Sequence, residues 1–182
     1  MSVIRRARPT DAAAMGRVYV ESWRSTYPGL IPDHYLVGLS EEALTARWRG
    51  QLAWGRDGDG VFVAVERPHG VVGFVTCGVQ RGQLAGYGGE VYTLYLLDQA
   101  QGHGLGRRLM AAAATELLAR GYPSGLVWVL RDNPARWFYE RLGGRRLGEQ
   151  TICLARELLP EVAYGWGDLS ELARLPVNPP LE

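Results

Sequence analysis

One run constrains the fold more than any other: Leu94-Tyr95-Leu96-Leu97-Asp98-Gln99-Ala100-Gln101-Gly102-His103-Gly104-Leu105-Gly106-Arg107-Arg108-Leu109. It opens as an apolar, strand-like segment, turns through glycines, and continues as a helix-patterned stretch to about residue 120. Gly121 stops that helix, with Pro123 beyond it. A strand feeding a helix in this way implies layers of helix packed on sheet. The junction also has a chemical consequence. The first turn of a helix carries unpaired N–H groups at the positive end of its dipole, and glycines let oxygens approach that backbone closely. Such a turn suits an anion, most naturally a pyrophosphate, and Arg107 and Arg108 can add charge. A tight turn with no ligand would look the same. No G-K-[ST] is present, which excludes a nucleoside triphosphatase loop. The glycine spacing also fits poorly with G-x-G-x-x-G at a first βα turn.

The rest of the chain fills in the layers. A strand is expected over 4–8. A helix should start at Pro9-Thr10-Asp11, with Thr10 or Asp11 as cap, and end at Tyr27-Pro28-Gly29. A short helical stretch should open at Ile31-Pro32-Asp33, and another, capped by Ser40-Glu41-Glu42, should run to about Trp54. Asp57-Gly58-Asp59-Gly60 reads as a turn. Strands follow over 61–66, 71–79 and 90–97, the first two a hairpin around Pro68-His69-Gly70. After the glycine-turn helix come a strand over 126–130, a helix over 133–142 capped by Asn133 with Pro134 in its first turn, and strands over 145–151 and 161–166. This is an α/β (α+β) arrangement: a mixed, mostly antiparallel sheet of six to seven strands flanked by helices. It forms one domain over 1–182, with its core over about 4–166 and a loose tail over 167–182.

Composition narrows the function classes. The 182 residues are 47% hydrophobic and 21% charged, enough for a core without disulfides or metal. No apolar run approaches a membrane span, and the start lacks a secretory pattern, so the cytoplasm is the expected location. A net charge of +1 offers no electrostatic case for nucleic acid or membrane partners. Cys77, Cys153 and the histidines 34, 69 and 103 are scattered, so no metal site is expected. All 20 basic residues are arginine. An acyl-transferring enzyme that spares itself would show this, but so would a genome rich in G and C, the simpler reading.

The pattern Gln101-x-x-Gly104-x-Gly106 after a strand resembles the [RQ]-x-x-G-x-[GA] signature of the GCN5-related N-acetyltransferase (GNAT) superfamily. A second segment, Asn133-Pro134-Ala135-Arg136-Trp137-Phe138-Tyr139-Glu140-Arg141-Leu142-Gly143-Gly144, resembles the family's N-x-x-[AR]-x-x-[FL]-Y-x-x-x-G-F ending, with Gly144 in place of Phe. The resemblance covers roughly residues 4–166. It implies an acetyl-CoA-dependent N-acetyltransferase whose sheet splays at the acyl-CoA site. The pyrophosphate would lie on Gln101, Gly102, His103, Gly104, Leu105, Gly106 and Arg107, with Asn133 nearby. The pantetheine arm and thioester would lie along Leu94, Tyr95 and Leu96, whose main-chain groups can pair with its amides. Dimers are common in the family, so a homodimer through an exposed late strand is a further expectation.

Amide formation needs a neutral amine. For an amine of pKa about 10.4 the neutral form at pH 7 costs roughly 4 to 5 kcal/mol, so a proton acceptor helps. Glu90 is the leading candidate: it begins the strand that would carry the thioester, and Glu90, Tyr92, Leu94 and Leu96 would alternate onto one face. Glu21 and His34 are rivals. Tyr139 falls with Ala135 and Leu142 on one helical stripe and is the candidate acid for the departing thiolate. Trp23 and Tyr27, four apart, would pack in the core or wall the acceptor pocket and hold a cationic amine through their rings. The expected acceptor is a small-molecule amine. The alternatives are a protein N-terminus or lysine, or no reaction at all in a module that only binds acyl-CoA.

Overall fold

The computed structural model describes residues 2–54 and 59–178; part of the expected turn at 57–60 lies outside them. The elements are β1 (Ser2–Arg6), α1 (Ala12–Thr26), α2 (Asp33–Val37), α3 (Glu41–Trp54), β2 (Gly60–Glu66), β3 (Gly70–Val79), β4 (Gly89–Leu96), α4 (Leu105–Ala119), β5 (Gly125–Leu130), α5 (Arg136–Arg141), β6 (Arg145–Leu154), β7 (Glu157–Trp166) and α6 (Ser170–Ala173). Seven strands form one sheet in the order β1-β2-β3-β4-β5-β7-β6. Every neighbouring pair is antiparallel except β4 with β5, which are joined by the α4 crossover. The mixed, mostly antiparallel sheet flanked by helices is the architecture expected above.

Residue patterning explains which layer covers which face. On β3, Cys77 lies against α4, its sulfur 3.8 Å from the Ala113 carbonyl. Phe74, on the opposite face, stacks edge-on against Trp48 of α3 and Tyr95 of β4. The run Ala111-Ala112-Ala113-Ala114 is buried along α4, and small side chains there let the helix lie close to the strands.

The β4–β5 pairing is short. It runs from Gly89 opposite Gly125 to Val91 opposite Val127 and stops. The cause is in β4 itself: Cys77 pairs with Val91 but Thr76 pairs with Thr93, so Tyr92 is an extra residue, a β-bulge. A bulge bends and twists its strand, and β4 swings away from β5 past this point. The bulge also corrects the expected alternation. Val91, Leu94 and Leu96 share the α4 face, whereas Glu90 shares the other with Thr93 and Tyr95. The Thr76–Thr93 hydroxyl contact of 2.7 Å and the Phe74–Tyr95 ring pair lie on that second face.

Three local expectations change. Asp11 sits at the start of α1, but its carboxylate turns back to the Arg8 N–H (2.8 Å) and to Arg5 (2.7 and 2.8 Å) instead of capping the helix. Asn133 accepts the Ala135 N–H at 2.8 Å and builds a turn, so α5 is shorter than 133–142. The segment after Trp166 is docked, not loose, through residue 178: Leu169 and Leu172 are buried, and α6 packs on α4. The Asn178 amide pairs with both the N–H and the carbonyl of Ile4 (2.7 and 2.9 Å).

Candidate active site

The splay between β4 and β5 opens a cleft of about 730 Å³. One wall is Tyr92, Thr93, Leu94, Tyr95 and Leu96; the other is Val127, Trp128, Val129 and Leu130. Where the strands part, no strand among the described residues covers the β5-facing edge of β4, so main-chain groups there are open to a ligand.

The glycine turn closes one end. Gln101, Gly102, Gly104, Gly106 and Arg107 line the cleft. Gly102 and Gly104 have φ of 78° and 77°, a conformation that disfavours side chains, and a Cβ on either would meet nothing within 4 Å. The turn therefore leaves an open cradle in front of its backbone. Among the described residues, no N–H between residues 102 and 107 donates to a protein acceptor. Directed N–H groups, the α4 dipole and the Arg107 guanidinium fit a diphosphate.

Two turn residues contribute only backbone: the His103 side chain is exposed outside the lining, and the Leu105 side chain is buried in the core at 1% exposure. Arg108 does not face the cradle. It donates to Ser2, Val177 and Asn178 and ties the docked tail to β1. The Gln101 side chain bonds the Leu96 carbonyl and the Asp98 carboxylate, both at 3.2 Å, which braces the turn against the end of β4.

Tyr139 comes from α5. It is buried, lines the cleft, and makes no hydrogen bond through its hydroxyl among the described residues. Burial pushes its pKa well up, with a smaller push from Tyr27. The phenol therefore stays protonated throughout the neutral range, ready to donate. Asn133 and Phe138 line the same region, and the Asn133 amide reaches the Tyr27 hydroxyl at 3.5 Å.

Glu90 occupies a different environment from the one expected. It is 2% exposed and outside the cleft lining. One oxygen accepts the Arg81 N–H at 2.8 Å, and the other accepts the Arg81 guanidinium at 2.6 and 3.1 Å. The bulge turned this position off the Leu94 face, and the loop after β3 sealed it. Glu21 and His34 are exposed and also outside the lining, with Glu21 paired to Arg17 at 3.4 Å.

The other end of the cleft is aromatic and apolar. Trp23, Tyr27 and Ile31 line it from the α1–α2 side, with Ile152 and Leu154 of β6 opposite. Trp23 and Tyr27 pack at 4.7 Å between ring centroids, so they join a core cluster and form a wall at once. Glu161 of β7 lines the cleft and was not singled out from the sequence, where it only opens the expected strand over 161–166. The available signal was its place beside the apolar run Val162-Ala163-Tyr164-Gly165-Trp166.

Comparison with known proteins agrees with this geometry. A family profile described as FR47-like protein matches residues 72–153. The uncharacterized N-acetyltransferase YuaI of Bacillus subtilis strain 168 is 38% identical over 96% of this chain and 98% of its own length. Among solved structures, yncA from Salmonella typhimurium with acetyl-CoA superposes with a TM-score of 0.66 at 21% identity, over 92% of this chain and 94% of that one. The PaiA N-acetyltransferase of Thermoplasma acidophilum in complex with coenzyme A gives 0.63 at 18%, over 89% and 98%. With its splayed β4 and β5, its glycine cradle and a relative matched from end to end, the chain belongs to the GCN5-related N-acetyltransferase superfamily.

Proposed function

We propose that the protein transfers an acetyl group from acetyl-CoA to the primary amine of a small molecule by direct attack on the thioester. The observation that carries this reading is one continuous cleft. It runs from the unpaired N–H groups of residues 102–107, along the open edge of β4, to the Tyr139 hydroxyl. The turn would hold the diphosphate, the β4 edge the pantetheine amides, and the far end the amine.

Tyr139 is the proton donor to the departing sulfur. A thiolate released in so dry a place is more basic than its ordinary pKa of about 8.5. The same burial raises the phenol and the thiol together, so the transfer stays feasible. Asn133 and Phe138 position that end of α5. Glu90, sealed by Arg81, has a structural part in this reading.

The enclosure of the far end favours a small acceptor over a peptide. Leu154 and Leu159, near the tip of the β6–β7 hairpin, pack against the cluster of Trp23, Ile31 and Leu36. A hairpin folded over the site leaves a pocket, where a peptide needs a groove. The test pairs calorimetry with free CoA and a thiol-release assay on acetyl-CoA with a panel of amines and peptides. Micromolar CoA binding with release limited to small amines is the expected result. No CoA binding overturns the donor site, release with peptides alone overturns the acceptor class, and silence with CoA bound favours a binding module.

A further inference from the structure

We propose that Glu161 is the carboxylate that receives the acceptor's ammonium group and takes its proton, and that the acceptor is a single amine carried on an apolar body. This rests on the acetyl-CoA reading above and names the chemistry of the other half of the same cleft.

Glu161 is the sole acid among the cleft-lining residues described. Three of the least exposed acids among the described residues have arginine partners. Asp11, Glu90 and Glu116 are each paired with arginine at 2.5 to 2.7 Å. Glu161 pairs with none of the described arginines; its one partner is the Gln150 amide, 2.6 Å from Oε1. That bond orients the carboxylate and leaves Oε2 available. The position is set by the sheet: Glu161 sits opposite Leu130 on β5 and Gln150 on β6, where the β5 wall meets the hairpin.

The charges in the cleft are segregated. Its cations, Arg107 and Arg141, belong to α4 and α5, the helices that flank the glycine turn. Its anion lies at the apolar end, on the same face of the β6–β7 hairpin as Ile152 and Leu154, and close enough to Tyr27 to act on it electrostatically. An ammonium there meets one carboxylate and aromatic rings. A free amino acid would bring a second carboxylate to an end where none of the described lining residues is cationic. A diamine would bring a second ammonium where the described lining holds no second acid. Burying either unpaired charge is costly, so both are poor acceptors.

The step balances. The acceptor's R–NH3+ gives one proton to Glu161 and becomes R–NH2. Its lone pair forms the C–N bond at the thioester carbonyl, and the C–S bond breaks. The second nitrogen proton is lost to the sulfur side, where Tyr139 completes the thiol. The sum is amide, CoA thiol and one proton, returned to solvent from Glu161.

The pH dependence has a definite sign. Burial raises the Glu161 pKa and the Glu90 charge raises it further, against the Gln150 hydrogen bond and Arg81, which lower it. Tyr27, on the α1 side, feels the Glu161 charge in turn. A base must be ionised, so kcat/KM falls as pH drops through this raised value.

The test compares 2-phenylethylamine with phenylalanine, the same body with a carboxylate, and with putrescine, which carries a second ammonium. Wild type should acetylate 2-phenylethylamine with kcat/KM about ten-fold or more above either. Glu161→Gln, which keeps a partner for Gln150, should lower that value by about a hundred-fold and flatten the acid limb. CoA affinity should not change. Glu161→Asp should retain the limb with reduced turnover, and it decides the matter if the Gln variant folds poorly. An unaltered rate and pH profile in Glu161→Gln overturns the proposal. So does a preference for phenylalanine or putrescine, or silence with all three while CoA binds. Failure of wild type to bind CoA strikes the donor reading instead.

Discussion

The donor end and the acceptor end of the cleft share a floor and differ in how they are built. The donor end comes from contiguous chain: β4, the turn at 97–104 and the start of α4, with α5 added. In the proposed reading, backbone does most of the binding there, through N–H groups left open by the turn's positive φ angles. The acceptor end draws on α1, the segment before α2, and both strands of the β6–β7 hairpin, more than a hundred residues away. In the proposed reading it would bind with side chains brought together only by the fold. A backbone site tolerates variation around it as long as its glycines remain. A side-chain site can be retuned residue by residue.

This contrast can be broken from either side. The largest effect is expected at the cradle. Gly104→Val puts a branched side chain at φ 77° and into the space before the N–H groups, so CoA affinity measured by calorimetry should fall about a hundred-fold. Tyr139→Phe tests the junction of the two ends: turnover should drop about ten-fold or more, with CoA affinity nearly intact. An unchanged turnover number removes Tyr139 from the chemistry.

Glu90→Gln separates a structural carboxylate from a catalytic one. Loss of the buried charge facing Arg81 should cost about 1 to 3 kcal/mol of stability in denaturant unfolding, while the acid limb of the rate profile stays in place. A shifted limb would return Glu90 to the mechanism. The smallest effect belongs outside both ends. Asn178→Ala removes the paired bonds to Ile4 and should cost about 1 kcal/mol without altering either Michaelis constant. A change in acceptor KM would show that the docked tail reaches the site.

The same contrast governs what could be read from residue order. Strand and helix identities followed from apolar periodicity, and the glycine spacing at 102, 104 and 106 pointed to the anion cradle because that feature is local. Trp23, Tyr27 and Tyr139 were singled out by helical spacing, and all three line the cleft. Glu90 was misplaced for a definite reason. Alternation predicts a face only while the register holds, and one extra residue at Tyr92 reversed it. Arg108 and the tail were misjudged because the pairing of residue 178 with residue 4 spans nearly the whole chain.

Sequence alone determined the layers, the superfamily signature and the glycine turn, since each is written in neighbours within a few residues and in the backbone angles those residues permit. Only the tertiary structure decided which carboxylate faces the cleft. That depends on where a bulge falls, which arginine is close enough to neutralise Glu90, and how a hairpin folds back to set Glu161 in the same cleft as Trp23. These are distances between remote segments, and the packing of the whole sheet establishes them.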